Sequence, residues 1–298
     1  MCNFAGGDQR GNVSPEAISV AMFAGGDHRG TWCAAAVTQT TYLCAVMDDD
    51  LRLRSARAER WLPSSRVSTI DRAAQFVDDV GFALLFPAEK IEAPSLWEAV
   101  AGEDAEPFAT GMDENESLVW AWKDELPRDG LAWYGKFLHR RGSLLSARLL
   151  LALYAAGGRT DDHHSIDLSR EAHEIAEALR GGPLTTAALR QIVGNRSRYE
   201  RAMAELHRHL LVTSAGVEAQ RSGWPAGIVD LSCRIFSVGG RLDLGYAARR
   251  FLETMRYTSP RELSRAYGWS VAAARAELDR LVDAGDAVRS GGSGYRAG

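Results

Sequence analysis

Apolar side chains recur at helical spacing in the stretch Pro183–Thr213. Tyr199, Met203, Leu206 and Leu210 lie four, three and four residues apart, on one face of a helix running from about Arg196 to Leu210. Thr185 is placed to cap a shorter helix before it, and Gly194-Asn195 separates the two. Leu211-Val212-Thr213 predicts a short strand. Helix, tight turn, helix and strand together form the core of a winged helix-turn-helix.

The same arrangement returns at Thr258–Arg289. Ser259 is a helix cap, Pro260 takes the first helical position and Glu262 closes a capping box. Leu263 corresponds to Leu189 and Gly268 to Gly194, while Leu278 and Leu281 follow Met203 and Leu206 after a one-residue shift. Gly285 ends the second helix, and Ala287-Val288-Arg289 starts the wing. An amphipathic helix precedes each unit. One opens at Ser169 (Ala172, Ile175, Ala176, Leu179) and the other at Asp243 (Ala247, Phe251, Leu252, Met255). The fold class this predicts is mainly α with small β wings, an α+β protein of tandem winged helix-turn-helix units. Winged helices are expected over residues 165–220 and 240–298.

An acidic winged-helix-like domain is expected upstream, over residues 68–160. Thr69 caps a helix with Ile70, Ala73, Ala74, Val77 and Val80 in one stripe, and Gly81 ends it. Phe82 to Phe86 is a continuous apolar run, and Pro94–Val100 a short helix. Leu118, Trp120 and Trp122 alternate, which predicts a strand over Ser117–Lys123. Two helices are then expected, one through Trp133–Leu138 and one from Leu144 to Tyr154. Trp120, Trp122, Trp133 and Tyr134 read as core packing. Residues 1–60 have no apolar period, and the glycine-rich Phe4–Asp8 sequence repeats at Phe23–Asp27. They are expected to be a flexible tail or an overextended translation start, so that a chain beginning near Arg60 keeps its thermal midpoint.

Charge adds a second layer. The net charge of −4 divides unevenly: residues 68–135 hold four basic and fifteen acidic groups, whereas residues 136–298 hold twenty-four basic and seventeen acidic. Nearly all the cations of the second region are arginine, whose planar fork matches phosphate oxygens. On the helix from Arg196 to Leu210, Arg198, Arg201 and Arg208 lie opposite the apolar face, and Arg196 and Ser197 stand at its N-terminus. With Arg190 on the preceding helix, these six are the candidate DNA-binding residues, and double-stranded DNA is the expected partner. The corresponding helix near the C-terminus begins Ser270-Val271-Ala272-Ala273-Ala274 and offers little to read bases, so that unit is expected to be mainly structural. The carboxylates Glu103, Asp104, Glu106, Asp113, Glu114 and Glu116 are expected on outer loops, away from DNA.

Other chemistry is sparse. Cys2, Cys33, Cys44 and Cys233 have no metal-ligand spacing. Asp161-Asp162-His163-His164 reads as a solvated loop, because adjacent residues seldom converge on one centre. No metal, cofactor, nucleophile elbow or catalytic triad is expected, and no catalytic residue is assigned. No apolar run reaches the ~18 residues of a membrane span, which with reduced thiols points to the cytoplasm. The oligomeric state stays open.

Four stretches carry a resemblance: FVDDVGFALLFP (Phe76–Pro87), PSLWEAV (Pro94–Val100), VWAWKDELP (Val119–Pro127) and WYGKFL (Trp133–Leu138). Together they resemble the AlkZ-related branch of the AlkZ/YcaQ-type winged-helix DNA glycosylase superfamily, over about residues 68–298. The resemblance implies three tandem winged-helix-like units around a DNA-sized channel. The glycosylases carry Gln-x-Gln or Gln-x-Asp just after the first N-terminal helix to position the attacking water. Here that place is Gly81–Pro87, without a polar side chain, while Gln75, Asp78 and Asp79 lie earlier, on the helix. The reading is a DNA-binding relative of repair glycosylases without base excision. An active glycosylase for alkylated or crosslinked bases and a protein-interaction module are the alternatives.

Overall fold

The computed structural model describes residues 51–298 apart from Asp104, Thr110, residues 220–224, Arg241 and Gly292. One element order occurs three times in it: helix, strand, helix, helix, strand, strand. A helix over residues 51–61, α1, comes first. The first repeat is α2 (Ile70–Val80), β1 (Phe82–Leu84), α3 (Leu96–Ala101), α4 (Glu114–Arg128), β2 (Ala132–Lys136) and β3 (Gly142–Ser146). After α5 (Ala147–Leu153), the second is α6 (Arg170–Leu179), β4 (Leu184–Thr185), α7 (Thr186–Val193), α8 (Arg196–Arg208), β5 (Val212–Glu218) and β6 (Ala226–Leu231). After α9 (Ser232–Ile235), the third is α10 (Leu244–Met255), β7 (Tyr257–Thr258), α11 (Pro260–Tyr267), α12 (Val271–Asp283), β8 (Ala287–Ser290) and β9 (Gly294–Ala297). Each repeat closes a three-stranded antiparallel sheet in which its last strand lies between the other two.

The helix starts follow the capping chemistry in the sequence. Thr69, Ser169, Thr185 and Ser259 each accept a backbone N–H of the first turn, and Ser259 and Glu262 complete their box. Tyr199, Met203 and Leu206 are buried on α8, as their spacing predicts. The middle sheet extends past the expected limit at residue 220, because β6 supplies the strand that pairs with both β4 and β5.

The first repeat departs most from expectation. Ser117–Lys123 is helical, within α4. Asp113 caps α4 in a full capping box with Glu116, and the buried positions Glu116, Val119, Trp122 and Leu126 are three, three and four apart. Capping and this stripe outweigh the alternation of Leu118, Trp120 and Trp122, which leaves Trp120 41% exposed. Trp122 and Trp133 are core residues, as expected. Trp133–Leu138 is not a helix: it begins in β2, where Trp133 pairs with Leu145 of β3. The helix expected from Leu144 starts only at Ala147, capped by Ser146.

The first sheet is buried on both faces. Phe82, Leu84, Trp133 and Leu145 point to a core shared with the second and third repeats. Ala83, Leu85, Ala132 and Leu144 point to a core made with α2, α3 and α4. Burial on both sides makes Phe82–Phe86 a continuous apolar run rather than an alternating one.

Residues 51–60 also differ from a flexible tail, while residues 1–50 lie outside the described residues. Arg57 Nε donates to the Met255 carbonyl at 2.9 Å, and Trp61 Nε1 to the Thr254 carbonyl at 2.7 Å. Arg57 also pairs with Glu92 and stands over the Trp61 ring. These contacts fasten α1 to the end of α10. A chain beginning at Pro63 should therefore melt about 5 °C below one beginning at Leu51, since two or three net hydrogen bonds contribute about 1 kcal/mol each. Equal midpoints in a thermal scan would show that α1 adds nothing.

Candidate nucleic-acid interface

α8 presents the candidate side chains because its apolar stripe turns inward and Asn195 caps its start through the Arg198 N–H at 3.0 Å. Arg196, Ser197, Arg198, Arg201 and Arg208 are all exposed. Arg201 and Arg208 line one cleft of about 730 Å³. Arg198 is turned toward α6, 3.5 Å from Glu171. Arg190 is drawn away from this cleft: it stacks on Tyr199, 5.3 Å from the ring centroid, and lines a separate hollow with Trp120 and Lys123.

The cleft is built by all three repeats. Lys136, His139 and Arg140 come from the β2–β3 hairpin, Arg201 and Arg208 from α8, and Arg265 with Trp269 from α11 and the turn after it. Lys136, His139, Arg140 and Arg265 were not among the sequence candidates. The sequence predicts a helix over Trp133–Leu138 at the start of this hairpin, and a mainly structural C-terminal unit on the strength of α12 alone. Its contribution instead comes from α11.

The hairpin is held in a costly conformation. His139 and Arg140 both have left-handed backbones, φ 49° and 61°, which side chains with a Cβ seldom adopt. Leu138 is buried beneath them, and Ser143 Oγ accepts the Leu138 N–H at 3.0 Å. The Arg141 N–H closes the turn on the Leu138 carbonyl at 2.8 Å. These bonds keep the two polar side chains at the lip of the cleft. Burial, and then the nearby Arg265, hold the His139 imidazole below its ordinary pKa. Burial followed by Arg208 does the same to His209.

α8 is also locked to the first sheet. His207 packs edge-on against Trp133, with ring centroids 6.0 Å apart, over Gly135. A Cβ at Gly135 would lie 2.7 Å from the His207 ring and 2.3 Å from that of Trp133, so only glycine fits. Burial, with Lys136 as a lesser cause, pushes the His207 imidazole down to about 4. Lys136 in turn stands 3.5 Å from Glu200 on α8.

The third helix of the first repeat is engaged differently. α4 packs on β5, where Asp124 Oδ1 accepts the Ser214 hydroxyl at 2.6 Å and Oδ2 meets Lys123 at 2.5 Å. Of the six acidic positions, Glu103, Glu106, Asp113 and Glu114 are exposed, and Asp104 is outside the described residues. Glu116 is not on an outer loop. It is 2% exposed, and its carboxylate accepts the Phe108 and Asp113 N–H groups at 2.7 and 3.0 Å. It is a structural cap that satisfies free N–H groups at the start of α4.

The segment after α2 is apolar in sequence and buried in the fold, with the Arg250 side chain packed against its start at Gly81. Phe82, Ala83 and Leu84 are fully buried, and Phe82 stacks on Phe251 at 5.4 Å. Gln75, Asp78 and Asp79 are exposed on α2, and Asp79 uses its carbonyl to accept from Arg250 at 3.2 Å. The Asp161–His164 stretch is not a solvated loop throughout, because Asp162 and His163 are 4% and 2% exposed. Cys233 is a half-buried free thiol, and the other cysteines lie outside the described residues.

Three repeats of one order thus meet at a cleft edged by cations. The chain belongs to the AlkZ-related family. The family's sequence model matches residues 67–273. Among solved structures, the chain is similar to Streptomyces sahachiroi DNA glycosylase AlkZ, with 14% identity and a TM-score of 0.50, over 82% of this chain and 68% of that one. At that identity the likeness speaks for the fold. A search of curated proteins by sequence gives no match. Among the described residues of this AlkZ-related chain, no helix is long and apolar enough to cross a membrane.

Proposed function

We propose that this AlkZ-related protein binds double-stranded DNA in the cytoplasm through α8 and the cleft beside it, without excising bases. The observation that carries the proposal is the convergence of Lys136, Arg140, Arg201, Arg208 and Arg265, from three repeats, on one cleft. Convergent cations lower the free energy of a polyanion by releasing its counterions. Trp269 adds an aromatic surface to the same cleft, against Tyr267 at 5.2 Å.

The buried apolar strand that follows α2 speaks against base excision. Hydrolysis of a glycosidic bond needs a polar group that holds the attacking water and steadies the cationic centre. Phe82, Ala83 and Leu84 provide none. Incubation with a duplex carrying a labile N7-alkyl purine should release free base only at the spontaneous rate. Enzyme-dependent release, abolished by heat denaturation, would replace this reading with that of an active glycosylase.

A further inference from the structure

An open hollow of about 550 Å³ lies away from the cationic cleft, between the Asp162–Ser165 turn and α6. His163 and His164 from the turn, and His173 and Glu177 from α6, all line it. His163 Nε2 lies 3.0 Å and His164 Nε2 3.2 Å from the same oxygen, Glu177 Oε2. Donor atoms of all three residues fall within 4.8 Å of one another. In a tetrahedral site with metal–ligand bonds of about 2 Å, neighbouring donors are separated by roughly 3.3 Å. The carboxylate therefore already stands at ligand spacing from each imidazole, and the donors of the two imidazoles lie within 4.8 Å of each other.

The turn and the carboxylate are each held from behind. The Asp162 carboxylate fixes the turn by accepting the Gly157, Gly158 and Arg159 N–H groups at 3.0, 2.8 and 2.9 Å and the Tyr154 hydroxyl at 2.8 Å. That clamp overcomes the tendency of adjacent residues to diverge, and His163 and His164 bring their rings to 4.1 Å. Glu177 is oriented by Arg180, which donates to Oε1 at 2.7 Å and leaves Oε2 facing the imidazoles. A support that orients a ligand from outside the coordination sphere is a regular part of metal sites.

We propose that His163, His164 and Glu177 bind one divalent transition-metal ion, with zinc fitting the donor set best, and with water at the remaining position. Two imidazoles and one carboxylate form a known zinc ligand set, and an open fourth position is typical of it. His163 is buried, whereas His164 and Glu177 are 55% and 52% exposed on their side chains, so an ion can enter from solvent. The ion would tie the connector after the first repeat to α6 of the second. This inference does not depend on DNA binding.

The test uses the full chain, free of any affinity tag and stripped with a chelator, titrated calorimetrically with zinc chloride. One zinc per chain should bind, with a higher thermal midpoint, and cobalt in its place should give tetrahedral visible absorption. His164→Ala and Glu177→Gln should each weaken zinc binding by at least about tenfold. His209→Ala, outside the hollow, serves as the control and should bind as wild type. Absence of saturable binding would overturn the proposal. So would wild-type affinity in His164→Ala, or an equal loss in His209→Ala.

Discussion

Replacing Trp133 with alanine should destabilise the protein by about 3–5 kcal/mol, the range for deleting a buried aromatic side chain. Trp133 is fully buried on the face of the first sheet that meets the other repeats. Its Nε1 donates to Ser232 Oγ at 2.9 Å, and its ring meets Phe137 and His207 at 6.2 and 6.0 Å. Truncation would open a cavity between β2 and α8 and leave a buried hydroxyl without its donor. Trp133→Phe keeps most of the volume and loses the hydrogen bond, so about 1 kcal/mol is expected. Denaturant unfolding measures both. A cost below about 1 kcal/mol for the alanine variant, on the scale of an ordinary surface change, would mean that the repeats are not joined through this residue.

Acid should destabilise the protein well before its carboxylates titrate. The His207 pKa falls to about 4 in the folded state, because burial disfavours the imidazolium. A histidine lowered in this way binds its proton more readily unfolded. Its effect is absent above the unfolded value of about 6.5, and the loss grows as pH falls from there to about 4. Between those limits it amounts to about 3 kcal/mol at most. His139, His163 and His209 are lowered too, first by burial, and add to the same limb. Unfolding curves at pH 7 and pH 4.5 for wild type and His207→Gln separate the contributions. The variant should lose clearly less stability across that interval. Parallel losses would place His207 in water.

Local signals in the sequence proved dependable where one element decides its own structure. Ser259 with Glu262, Thr185 with Gly194, and the stripe Tyr199–Met203–Leu206 are read correctly because capping and helical spacing are properties of neighbouring residues. The Asp113–Glu116 box was equally local but lay hidden in what looked like an acidic loop, and the alternating tryptophans after it imitated a strand. β2 was missed for another reason. Its strand character depends on pairing with β3 and on a glycine that admits the Trp133 ring, which are tertiary facts. The site divides in the same way. Arg201 and Arg208 follow from the outward face of α8, but Arg140 and Arg265 join them only through the packing of three repeats. Glu177 reaches His163 and His164 because α6 is anchored by buried Ala172, Ile175, Ala176 and Leu179 beside a clamped turn.

The central claim is that duplex DNA lies across the cleft, and the slope of log affinity against log salt tests it most directly. Wild type and the double variant Arg201→Ala/Arg208→Ala are titrated with one duplex over a series of salt concentrations. Both side chains are exposed on α8, so their loss should leave the fold intact. The affinity of wild type should fall steeply and linearly with log salt. The double variant should bind at least about tenfold more weakly, with a slope shallower by about 2, one counterion-release unit for each cation removed. A salt-independent affinity, or a double variant with the wild-type slope, would contradict DNA binding through this cleft.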